Sequence, residues 1–145
     1  AYLWQQQRVE EVYRKYFILF REAAKTKLFD IMAHPDVIKV FGYRPEDSLL
    51  GEYIRCAEIL KQADVCFEIS TAGLRKPVGE LYPAPEFTRV LAEAGVAAVI
   101  NSDAHRPEDV GSGFDSAYLY AQQHGLTHRA RFAHRKRQLM PLTTS

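Results

Sequence analysis

Three short apolar runs, each preceded by an amphipathic stretch of helical period, constrain this chain more than any other feature. The runs are Phe29 to Ala33, Val65 to Ile69 and Val96 to Ile100. Each is too brief for a helix and apolar enough for a strand buried on both faces. Ahead of the first, Val9, Val12, Tyr13, Tyr16, Phe17, Phe20, Ala23 and Ala24 recur three or four apart, which predicts a helix with one buried face. Ahead of the second, Leu49, Tyr53, Cys56, Ala57 and Leu60 give the same pattern, with Ser48 as its N-cap. Ahead of the third, Pro85 opens a helix at the favoured first position, Phe87, Val90, Leu91 and Ala94 face inward, and Gly95 ends it. A fourth helix runs from Phe114 to His124 and stops at Gly125, with a last strand near Ala130 to Ala133. Helix and strand in alternation predict an α/β fold: a parallel sheet covered by helices. Three or four strands do not close a barrel, so a doubly wound sheet and a piece of a β/α barrel both fit the pattern.

The chemistry-bearing residues sit at the C-terminal ends of these strands, the edge at which parallel α/β folds build their sites. His34 follows the first strand, and Pro35 biases it toward an extended backbone. Glu68 lies near the end of the second, and Asp103 and His105 follow the third. If the last stretch is extended, Asp103 and His105 project to one side, and a carboxylate with an imidazole suits Zn, Mn or Fe. Taken singly, His34 reads first as a hydrogen-bonded turn histidine, and the Asp103-x-His105 pair reads as readily as a loop cap; it is their convergence that points to metal. Glu68, an acid in an apolar strand, needs a partner: it either orients a metal ligand or pairs with a cation. Arg75 and Lys76 follow in the connection from Ser70 to Pro83. There a guanidinium can grip a phosphate through two parallel hydrogen bonds, or simply be solvated. Gly73 lets the backbone bend close to such a ligand.

Composition removes several classes. Nineteen basic residues against eighteen acidic give a formal charge of +1, without a general pull toward nucleic acid or an anionic membrane. No apolar run approaches the ~20 residues of a membrane helix, and no secretory signal is visible. Cys56 and Cys66 are the only cysteines, and their placement in a helical face and a buried strand reads as two reduced core thiols. The cytoplasm is the expected compartment. The run Arg129, Arg131, Arg135, Lys136 and Arg137, with His128 and His134, could contact nucleic acid; the plainer reading is a solvated segment or a last strand packed beside a helix.

Phe29-Asp30-Ile31-Met32-Ala33-His34-Pro35-Asp36 resembles the third conserved segment of the PHP superfamily of metal-dependent phosphoesterases. Ser102-Asp103-Ala104-His105-Arg106-Pro107, with Val110-Gly111, resembles their final metal-binding segment. Glu68 to Pro77 and Gly79-Glu80-Leu81-Tyr82-Pro83 look like the histidinol-phosphatase branch. The resemblance implies the C-terminal portion of a distorted (β/α)7 TIM-like barrel, holding two or three divalent metal ions in the complete enzyme. It implies His34, Asp103 and His105 as metal ligands, Asp103 and His105 as the catalytic pair, and Arg75 as the phosphate-binding residue. Glu68 stays a candidate for orienting a ligand rather than holding metal. The implied reaction is hydrolysis of a small phosphate monoester, foremost histidinol phosphate in histidine biosynthesis. A nucleotide or other small phosphate is the alternative substrate, and a non-catalytic binding fragment the alternative role.

The family's opening His-x-His and its bridging glutamate have no counterpart: His34 is the first histidine, and no His-x-His occurs. The chain also begins Ala1-Tyr2-Leu3-Trp4 without Met. Residues 1–145 are therefore expected to be the C-terminal part of one PHP domain, inactive alone. The N-terminal half would be cut off, supplied as another chain, or otherwise outside these residues. The expected partners are a small phosphorylated substrate and that missing half; no membrane and no nucleic acid is expected.

Overall fold

The computed structural model describes residues 9–142, so Ala1 to Trp4 lie outside the described residues. Within them the fold is α/β, with four α-helices, a three-stranded parallel sheet and a two-stranded antiparallel hairpin. The order is α1 (Val9–Lys25), β1 (Ile31–Met32), α2 (Leu50–Ala63), β2 (Cys66–Ser70), α3 (Pro85–Glu93), β3 (Ala98–Asn101), α4 (Phe114–Gln123), β4 (His128–Ala133) and β5 (Lys136–Pro141). Short 3-10 turns at Val37–Lys39, Thr71–Arg75 and Pro107–Asp109 follow β1, β2 and β3.

The sheet runs β1-β2-β3, with Met32 beside Phe67, Phe67 beside Ala98, and Ile69 beside Ile100. Strand side chains alternate between faces. Met32, Phe67, Ile69, Ala98 and Ile100 thus share the face that packs on the helices. All four helices supply that single core. Its centre is aromatic: Phe87 stacks on Tyr53 at 4.5 Å, and Phe17 meets both edge-on at 5.9 and 5.7 Å. Burial of each such ring contributes roughly 1.5–3 kcal/mol. The opposite face carries Cys66, Glu68 and Ser70 from β2 and Val99 and Asn101 from β3.

The helix boundaries follow the sequence signals closely. Pro85 is at the start of α3, and Gly95 (φ 73°) and Gly125 (φ 94°) follow α3 and α4. The N-cap of α2 is Leu49 rather than the expected Ser48, whose Oγ accepts the Leu50 N–H at 3.3 Å from one residue further out. β1 is shorter than the apolar run. Leu28 and Phe29 remain exposed, and the Asp30 carboxylate is turned outward to Arg135 at 2.9 Å, leaving a two-residue ladder.

The C-terminal basic run folds as a hairpin, of which the sequence suggested only one strand. His134 (φ 50°) and Arg135 (φ 62°) make its two-residue turn. Arg131 donates to Gln138 at 2.8 Å, Arg135 reaches Asp30, Arg137 reaches Asp64 and the Cys66 thiol, and Arg129 lies 5.7 Å from the Tyr118 ring centre. The arginines thus fasten the hairpin to the sheet and to α2. Cys56 and Cys66 are both free and buried. Burial pushes the Cys56 thiol up to about 11, and the Cys66 thiol in the same direction. Among the described residues no helix is long and apolar enough to cross a membrane.

Candidate functional site

Glu68 is the organising residue at the C-terminal edge of the sheet. It is 4% exposed, and its two carboxylate oxygens serve the strands on either side. Oε2 accepts the backbone N–H of His34, and Oε1 accepts the Asn101 side-chain amide at 2.7 Å. Neither partner is a cation, and among the described residues Glu68 makes no ion pair. It holds the His34 turn by its backbone and, through Asn101, the start of the segment carrying Asp103. The Asn101 Oδ1 accepts in turn from the Asp103 N–H at 3.4 Å.

Two expected backbone shapes are corrected. His34 is not extended: its φ is 30°, and its carbonyl accepts from Val37 in a turn. The preference imposed by Pro35 is overridden by the Glu68 carboxylate, which captures the His34 N–H as β1 ends. Asp103 is not extended either, with φ 47°. With Asp36 (φ 72°), these residues place unusual left-handed conformations at the strand ends, where backbone of this kind is often retained for function.

The expected polar residues are divided between two places. Arg75, Lys76, Asp103, His105, Arg106 and Asp109 line a cleft of about 470 Å³ beyond β2 and β3. Arg75 donates to the Ser102 carbonyl at 2.6 Å and lies 3.5 Å from the Asp109 carboxylate, which aims the guanidinium along the cleft wall. The His105 Nδ1 lies 2.9 Å from the Asp103 carbonyl oxygen. A carbonyl only accepts, so Nδ1 carries the proton, and in the neutral imidazole Nε2 has the lone pair. His34 does not line this cleft. Among the described residues its Nδ1 is buried without a hydrogen-bond partner. Among the described residues no three or more His, Cys, Asp or Glu side chains are gathered to hold a metal ion. Gly73 has a different task from the expected one. A Cβ there would fall 1.9 Å from the Glu80 carbonyl oxygen, so the glycine makes room for the chain's own backbone rather than for a ligand.

No family model matches the chain. It is 37% identical over 127 residues to a protein of Deinococcus radiodurans named probable histidinol-phosphatase. The relationship is to a histidinol-phosphatase-like protein. The matched stretch is 88% of this chain and 48% of the relative, so the chain spans about half the length of that curated protein.

The relationship sharpens the question of a metal. The donor types suit a divalent ion in Asp103, a hard carboxylate, and His105, an imidazole; His34, whose ring Nδ1 is buried without a hydrogen-bond partner among the described residues, lies outside their cleft. Sequence reasoning missed the polar layer behind these residues. Asn101 gave no signal beyond its place at a strand end. Lys39, a lysine inside the apolar stretch Val37-Ile38-Lys39-Val40-Phe41, did give one. Its side chain is fully buried, with Asp36 Oδ2 at 3.2 Å and Glu80 Oε2 at 3.0 Å. Burial raises the Asp36 carboxyl above its ordinary range, although Lys39 opposes the shift. Burial also pushes on Glu80, but there Lys39 and Arg44 prevail and lower it.

Proposed function

We propose that this chain is the C-terminal part of a metal-dependent phosphatase that hydrolyses a small phosphate monoester, foremost histidinol phosphate. The observation that carries the reading is the cleft shared by Arg75, Asp103 and His105 beyond the ends of parallel strands. The relative's name supports the choice of substrate class. A distorted (β/α)7 barrel completed by an N-terminal half is the matching architecture. The gathering of all four helices on one face of a sequentially ordered parallel sheet supports it.

In this reading His34, Asp103 and His105 hold divalent metal, Zn, Mn or Fe, with further ligands from the remaining half. Metal bound there supplies Lewis-acid stabilisation and lowers the pKa of attacking water. Arg75 binds the phosphoryl oxygens through its planar fork and offsets the charge that develops on them. His105 donates its Nδ1 proton to the Asp103 carbonyl, which turns Nε2, the nitrogen with the lone pair in the neutral ring, to metal. Glu68 fixes the His34 backbone and, through Asn101, the Asp103 segment, and thereby orients the ligands without joining them. The test is hydrolysis of histidinol phosphate by the full-length gene product, with and without chelator. Activity that the chelator abolishes and added metal restores is expected; activity indifferent to chelator contradicts the reading.

A further inference from the structure

The least expected group in the molecule is the buried ammonium of Lys39. Its side chain has no exposure, and it lies between carboxylates from two separate segments. One is Asp36, two residues beyond His34. The other is Glu80, in the strap of residues 78–84 that crosses over the end of β2. Two further bonds lace the same segments together: the Ala84 N–H donates to Asp36 Oδ2 at 2.9 Å, and the Val78 N–H to the Val40 carbonyl at 3.1 Å. The strap in turn backs the turn that carries Arg75. Tyr82 exchanges two backbone hydrogen bonds with Ser70, at 2.9 and 3.1 Å, and the Glu80 carbonyl is pressed against Gly73. A continuous chain of contacts therefore runs from the His34 turn through Lys39 to the Arg75 turn.

A buried charge contributes little net stability, because desolvation offsets its attraction to its partners. What a fixed, doubly paired ammonium does supply is register between the segments that it joins. We propose that Lys39 is a positioning residue, which holds the His34 turn and the Arg75 turn at a set separation and so fixes where the Arg75 guanidinium stands in its cleft for the substrate phosphate. The proposal rests on the phosphate-ester reading above.

The test uses the full-length gene product with Lys39→Met, and with Lys39→Met combined with Asp36→Asn. The second change removes the carboxylate left without its cation and keeps an acceptor for the Ala84 N–H. Glu80 retains Arg44, 2.8 Å away. Three quantities are read: urea stability; kcat and KM for histidinol phosphate well below the unfolding transition; and hydrogen exchange at the Val37, Lys76 and Tyr82 amides, each bonded within the linked segments. The double variant is expected to regain most of the stability lost by Lys39→Met. Its kcat/KM stays about tenfold or more below wild type, chiefly through KM, and the Lys76 and Tyr82 amides exchange about tenfold or more faster. Recovery of kcat/KM together with stability overturns the proposal, as do unchanged exchange at Lys76 and Tyr82 or faster exchange throughout the chain. If wild-type protein does not hydrolyse the ester, the phosphatase reading falls, and the exchange rates alone decide whether Lys39 couples the two turns.

Discussion

Gly73→Ala is the perturbation for which the structure gives the most definite magnitude. The added methyl would sit 1.9 Å from the Glu80 carbonyl oxygen and 3.1 Å from Tyr82 Cε2. Ordinary contact between such atoms begins near 3.4 Å, so the strap has to retreat by roughly 1.5 Å. It cannot do so freely, because Tyr82 is bonded twice to Ser70, Val78 to Val40, and Glu80 to Lys39. Overpacking of this kind costs roughly 1–3 kcal/mol, and a stretched backbone pair adds about 1 kcal/mol, so about 3 kcal/mol is expected. Gly79→Ala is the matched control: its φ is 61°, but nothing lies within 4 Å of the new methyl, so only backbone strain of about 1 kcal/mol applies. Urea unfolding of the full-length protein measures both. A Gly73→Ala loss no greater than that of Gly79→Ala would refute the claim that backbone crowding, rather than a ligand, requires this glycine.

Four other outcomes are expected. Gly51→Ala, within the first turn of α2 and facing only the guanidinium end of Arg55 at 3.6 Å, stabilises by about 0.5–1 kcal/mol in the same urea assay. Glu80 is lowered in the folded state, so its contribution is present above the unfolded carboxyl range and is lost as pH falls through its folded pKa. Glu80→Gln therefore flattens the fall of the urea midpoint between neutral pH and about pH 3, while the raised Asp36 keeps its opposite slope. Arg75→Ala lowers kcat/KM for the phosphate ester on the order of 100-fold, read from initial rates, with KM raised and kcat lowered. Neither cysteine of the native protein reacts with a thiol reagent at pH 8 within minutes, and both react in urea, because burial raises both thiols.

Much of the fold was legible because its signals are local. Helical spacing, Pro85, Gly95 and Gly125 gave the helices, and unbroken apolar runs gave β2 and β3. The strand ends were legible for the same reason, and Arg75, Asp103 and His105 do share one cleft there. What was not legible depends on contacts distant in sequence. The His34 backbone is bent by a carboxylate 34 residues away, against the local preference set by Pro35. The hairpin turn His134–Arg135 lacks the Asn-Gly chemistry that usually announces left-handed turn residues, and β5 is too charged to read as a strand. The Lys39 network joins residues 36, 39 and 80, and no window on the sequence spans them.

Metal content bears most directly on the account as a whole. Equivalents of bound metal per full-length chain, determined by elemental analysis, are compared for wild type, His34→Ala and His105→Ala. Each substitution is expected to lower the bound equivalents if, as proposed, His34 and His105 serve one centre. Full metal retention by the His34→Ala protein, with loss only on His105→Ala, would contradict that claim.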